Sequence, residues 1–67
     1  MKNIVLYTNH CVQCGVLEDL LKKRNIQYSV VDDVNTMLSL GLTHMPVLEI
    51  DGNFMQFKDA YNFILRS

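Results

Sequence analysis

The stretch Ile4-Val5-Leu6-Tyr7-Thr8-Asn9-His10-Cys11-Val12-Gln13-Cys14 decides the fold. Its first four residues form an unbroken apolar run, suited to a strand buried in the middle of a sheet. Thr8-Asn9-His10 ends the run. From Val12 to Arg24 the apolar residues Val12, Val16, Leu17, Leu20 and Leu21 recur at helical spacing, with Glu18, Asp19, Lys22 and Lys23 on the opposite face. This pattern predicts an amphipathic helix whose basic residues collect in the last turn, where the dipole favours them, with Asn25 as its stop.

Working outward, Gln27 to Val31 reads as a second strand. Asn35 to Leu40 reads as a short helix, with Asp33 as N-cap and Gly41 as its C-terminal signal. Val47 to Ile50 is a third strand. Asp51-Gly52 is the two-residue signal of a tight hairpin, and Asn53 to Gln56 returns as a fourth strand. Phe57, Tyr61, Ile64 and Leu65 mark the buried face of a closing helix, with Asp59 near its positive end. The order β-α-β-α-β-β-α implies a parallel pair joined by a right-handed crossover, plus an antiparallel hairpin. The fold class is therefore α/β, a four-stranded mixed sheet with helices packed on it.

Sixty-seven residues bound the chain to one domain, residues 1–67. With 49% hydrophobic and 19% charged residues it is too apolar for disorder, and it has no apolar run long enough for a membrane span. The N-terminal residues Met1 to Tyr7 lack the pattern of a signal peptide, so a cytoplasmic location is expected. Six basic and seven acidic residues, unclustered and summing to −1, leave no electrostatic footprint for nucleic acid or anionic lipid.

The two cysteines are the chemical signal. A bridge between Cys11 and Cys14 would close a four-residue loop worth about 2 kcal/mol, against about 3 for fifteen residues, and so would be a poor staple. Their place at a strand-to-helix junction points to chemistry. Cys11 falls at the helix N-terminus, where unsatisfied N–H groups and the dipole favour thiolate, so its pKa is expected below the free value. Cys14, one turn deeper, is expected to be more buried and less acidic. This asymmetry suits thiol–disulfide exchange, with Cys11 attacking and Cys14 resolving. A zinc site is the rival, with His10 and His44 completing four ligands. Against it, His10 adjoins Cys11 directly, which strains chelation of one tetrahedral ion, and there is no second Cys-x-x-Cys. Pro46, the only proline, stands at the entrance to a strand, one of the few places a ladder tolerates it. Met37, Met45 and Met55 read as packing residues, with Met45 and Met55 placed to border the site.

The sequence resembles the glutaredoxin branch of the thioredoxin superfamily. The resemblance rests on Val5-Leu6-Tyr7-Thr8 leading into Cys11-Val12-Gln13-Cys14, on Met45-Pro46-Val47-Leu48, and on Glu49-Ile50-Asp51-Gly52 ahead of the final helix. Within that branch it is most similar to the small redoxins that serve class Ib ribonucleotide reductase, whose active-site tetrapeptide is Cys-Val-Gln-Cys. The resemblance implies a minimal thioredoxin fold, a cis Pro46 facing the cysteines, and Met45 and Val47 offering backbone groups to a substrate polypeptide. It implies Cys11 and Cys14 as catalytic residues, with Tyr7, Val12, Gln13, Met45, Pro46, Val47 and Phe57 contacting substrate. No bound cofactor or metal is implied. Electrons would come from thioredoxin reductase and NADPH, or from glutathione. Met55-Gln56-Phe57-Lys58-Asp59 stands where glutathione-dependent members usually carry a Gly-Gly pair, and Thr8 where they carry a basic residue, which favours the reductase. The expected partner is a disulfide-containing protein such as ribonucleotide reductase, and the expected state is a monomer. The alternative is a metal or iron–sulfur cluster-binding module without turnover.

Overall fold

A computed structural model describes residues 3–66. Met1 and Lys2, on which the reading of the N-terminus partly rests, lie outside the described residues. Strand β1 (Ile4–Tyr7) leads to helix α1 (Val12–Lys23), β2 (Ser29–Val31), α2 (Val34–Ser39), β3 (Val47–Ile50), β4 (Asn53–Gln56) and α3 (Phe57–Arg66). The sheet order is β2-β1-β3-β4, with β1 parallel to β2 and antiparallel to β3, and β4 antiparallel to β3. The expected mixed four-stranded sheet is present.

The period of two along β1 and β3 divides the interior. Ile4, Leu6, Leu48 and Ile50 point to one face, where they meet Leu17 and Leu21 of α1 and Ala60 and Ile64 of α3. Tyr7 and Val47 point to the other and pack against Met37 of α2. Because β1 is covered on both faces, its sequence reads as a continuous apolar run, whereas β3 carries Glu49 on the α2 face.

Local chemistry ends each element. Asn25 takes the left-handed conformation at φ 55°, with its N–H bonded to the Lys22 carbonyl (3.1 Å) and the Ile26 N–H bonded to the Leu21 carbonyl (3.0 Å). Gly41 closes α2 in the same way at φ 77°, through Gly41 to Leu38 (3.0 Å) and Leu42 to Met37 (2.9 Å). Both helices thus end in the paired 6→1 and 5→2 bonds of a Schellman motif. Asp33 caps α2, its carboxylate accepting the Thr36 N–H at 3.1 Å. In the β3–β4 hairpin Asp51 and Gly52 both have positive φ, 50° and 89°, as the tight turn requires.

Several expectations are corrected. Helix α1 ends at Lys23, β2 begins at Ser29 rather than Gln27, and α2 begins at Val34. Val12, which shares the helical period, is 85% exposed, and the core face of α1 is instead Cys14, Leu17 and Leu21. Leu65 is also exposed, at 42%, because Ala60 and Ile64 occupy the contact with the sheet. Among the described residues no helix is long and apolar enough to cross a membrane.

Candidate active site

The chain leaves β1 through a short, constrained loop. Thr8 is anchored by its N–H to the Val31 carbonyl at 3.0 Å, and it is the one fully buried polar side chain among the described residues. His10 is held at φ 63°, a conformation that disfavours a side chain, with its N–H bonded to Thr8 Oγ1 at 2.9 Å. The sharp turn at His10 delivers Cys11 to the N-cap of α1. There Cys11 Sγ accepts the Cys14 N–H at 3.2 Å, one of the donors that the helix itself leaves unsatisfied.

The two sulfurs lie 2.6 Å apart, with Cys11 half-buried and Cys14 fully buried. The Met45 carbonyl faces the pair, 4.0 Å from Cys11 Sγ, and the Met45–Pro46 peptide bond is cis, as the resemblance implied. Burial pushes the Cys11 thiol up, aided by its hydrogen bond to Cys14 and opposed by the N–H groups of Cys14 and Gln13. Burial also acts upward on Cys14, but hydrogen bonds from Cys11, from the Thr8 hydroxyl and from the N–H groups of Asn9 and Cys11 outweigh it and lower its pKa. The expectation of a lowered Cys11 and a less acidic Cys14 is therefore corrected, since Cys11 is raised and Cys14 lowered. The acidity belongs to the pair, whose first proton leaves early and whose second leaves late. What separates the two sulfurs is access.

Two grooves flank the cysteines and share Met45 as a wall. One, of about 140 Å³, is lined by Gln13, His44, Met45, Pro46, Gln56 and Phe57. The other, of about 270 Å³, is lined mainly by apolar side chains of α2 and the loop after it, with Asn9 at its rim. Gln13, Met45, Pro46 and Phe57 share the smaller groove, the Met45 carbonyl faces Cys11 beside Cys14, and Val12 projects into solvent. Tyr7 does not join the rim. It is 6% exposed, packs in the second core, and donates its hydroxyl to Glu49 Oε1 at 2.5 Å. The Val47 side chain is likewise in that core, and its backbone stands between Tyr7 and Gln56 in the sheet.

Sequence reasoning passed over Thr8, Asn9 and Gln56 as site residues. The signal for Thr8 was present: a polar residue directly continuing an apolar strand inherits that strand's burial. His10 and His44 do not converge on the cysteines. His10 Nε2 instead lies 3.1 Å from Asp32 Oδ2, and among the described residues no three His, Cys, Asp or Glu side chains cluster to hold a metal ion.

These features define the class of the fold. It is thioredoxin-like: a Nu-class GST from Haemonchus contortus superposes on 98% of this chain with a TM-score of 0.77 at 20% sequence identity. The chain spans 36% of that protein's length. Neither a family model nor a curated protein matches the sequence.

Proposed function

We propose that the protein is a thiol–disulfide oxidoreductase that reduces disulfides in protein substrates. The observation that carries this reading is the placement of two free thiols in contact at a helix N-cap, one reachable and one buried, beside the Met45 carbonyl. A permanent metal site has no third ligand in reach among the described residues. A structural staple would not need one sulfur at the surface.

The chemistry runs in two displacements. With the pair's first proton already lost from Cys14, Cys11 Sγ attacks one sulfur of the substrate disulfide as its own proton passes to the Cys14 thiolate 2.6 Å away. The first substrate sulfur leaves as thiolate and is protonated from solvent. Cys14 then loses its proton and attacks Cys11 Sγ, breaking the mixed disulfide. The second substrate sulfur departs and takes up a proton. Two electrons have moved to the substrate, and Cys11–Cys14 is left oxidised.

The grooves on either side of Met45 suit an extended polypeptide crossing the pair, with Val12, Gln13, Pro46 and Phe57 as its contacts. Thioredoxin reductase with NADPH is the favoured source of electrons, since Thr8 is a buried neutral residue where a glutathione carboxylate partner would be cationic. Glutathione, to which the GST neighbour lends interest, is the alternative. Ribonucleotide reductase is the proposed target and the cytoplasm the proposed location, with the monomer as the working unit. An NADPH-coupled turnover assay comparing thioredoxin reductase with glutathione plus glutathione reductase tests the reading. Disulfide reduction with the first is expected, and no turnover with either would refute it.

A further inference from the structure

We propose that Asn9 is the positioning residue of the resolving thiol: its side-chain amide accepts from Cys14 while that sulfur is a thiol and, turned over, donates to it once it is a thiolate. The inference takes its consequence from the oxidoreductase reading and its origin from geometry. Cys14 is 0% exposed, so water cannot follow its change of charge. Its thiol donates to Asn9 Oδ1 at 3.6 Å. An amide carries an acceptor and two donors on one planar group, so a half-turn about its terminal bond puts a donor where the acceptor was. A carboxylate of the same shape can only accept. Asn9 is itself exposed, so the end turned away from the sulfur meets water, and the half-turn leaves no polar group unpaired. The backbone need not move. The Thr8 N–H is bonded to the Val31 carbonyl at 3.0 Å before it, and the His10 N–H to Thr8 Oγ1 at 2.9 Å after it.

The arrangement matters most after the first displacement. The titratable group facing Cys14 is the Cys11 thiol, 2.6 Å away in the reduced pair. Once Cys11 is bonded to substrate it has no proton to share. Cys14 must still release its own proton to solvent before it attacks Cys11 Sγ and expels the second substrate thiolate, which takes one up. The loop's ionisable side chain, His10, is engaged by Asp32 at 3.1 Å at the surface, and Met45 and Pro46, across from the pair, do not titrate. Asn9, already in contact with the sulfur, supplies a donor in place of the one Cys11 has lost. Being neutral, it serves both states of Cys14 without a charge that would fix either.

The test isolates Cys14 in a Cys11→Ser background and follows its thiolate absorbance with pH, comparing Asn9 with Asn9→Ala and Asn9→Asp. Asn9→Ala removes acceptor and donor together, and should raise the Cys14 midpoint by about half a pH unit. Asn9→Asp keeps the acceptor, lacks the donor and adds a negative charge, and should raise it further, by about one unit. In the protein with both cysteines, decay of a mixed disulfide on Cys11, followed below both midpoints, should slow about twofold in the first variant and about threefold in the second. Part of the lost thiolate is offset there by the greater nucleophilicity of the more basic sulfur. Thermal melts establish that each variant is folded, as an exposed loop position allows. A midpoint unmoved or lowered in Asn9→Ala, or one in Asn9→Asp equal to that of Asn9, overturns the proposal. The titration needs no substrate. A raised midpoint in a protein that never reduces a disulfide would count against the oxidoreductase reading alone, and an unmoved midpoint in an active protein would count against Asn9 alone.

Discussion

The Met45 carbonyl oxygen faces Cys11 Sγ at 4.0 Å across 34 positions of sequence. Neither residue could be placed against the other by local rules. The fold makes the encounter, because β1 and β3 are neighbours and their ends are adjacent: Tyr7 pairs with Val47, and the chain enters β3 through Met45-Pro46 just as it leaves β1 toward Cys11. The same adjacency puts Met45 in both grooves, so one side chain separates the surfaces on either side of the thiols.

The coupling of the two sulfurs sets the pH dependence of thiol chemistry. In the reduced protein, ultraviolet thiolate absorbance should rise in two steps, one below the range of an ordinary cysteine and one above it. Alkylation of Cys11 should accelerate through the first step. A single step with the amplitude of two thiols, at the ordinary value, would show that the sulfurs do not share a proton.

Tyr7 gives a separate signature. Its hydrogen bond to the Glu49 carboxylate, with burial and the repulsion of a second negative charge, pushes its pKa from 10.0 up to about 12. A raised folded-state value stabilises the fold fully below the unfolded pKa, and the benefit is lost as pH rises through the folded one. The stability difference between wild type and Tyr7→Phe, read by urea denaturation, should therefore hold steady up to about pH 10 and shrink from there toward 12. A difference that grows across that interval would place the Tyr7–Glu49 bond elsewhere than described.

Core and surface apolar residues should respond very differently. Leu48, fully buried in the central strand β3, should cost about 2–5 kcal/mol as Leu48→Ala. A single core in so short a chain rarely supplies more than about 3–5 kcal/mol, so that variant should be largely unfolded by circular dichroism. Val12→Ala, at a site 85% exposed, should change stability by no more than about 0.5 kcal/mol. Comparable losses from the two substitutions would mean that Val12 is covered in solution.

That contrast also marks what the sequence discloses. The apolar run of β1, the hairpin at Asp51-Gly52 and the cysteines at the start of α1 are local patterns with local causes, and they specify the sheet and the thiol pair. Helical period alone could not distinguish Val12 and Val16 from Leu17 and Leu21, because the core face of α1 is fixed by where α3 packs. The resemblance counts Tyr7 among the substrate contacts, although the period of two sends it, with Val5, to the α2 face of the sheet. Glu49, two residues from Val47 on that same face, was the clue that a hydroxyl could be satisfied there. The acidity of the thiols escaped prediction for a similar reason. Dipole reasoning describes Cys11 at a helix end, but Thr8 and Asn9 approach Cys14 from the preceding loop, and only the folded loop shows their donors.

The central claim is that Cys11 meets the substrate and Cys14 releases it. It is tested most directly by incubating Cys14→Ser with a peptide disulfide and locating the adduct by mass spectrometry. The account predicts a persistent mixed disulfide on Cys11, while Cys11→Ser, whose remaining sulfur is buried, forms none at a comparable rate. Adduct formation on Cys14 of the Cys11→Ser variant as fast as on Cys11 would contradict it.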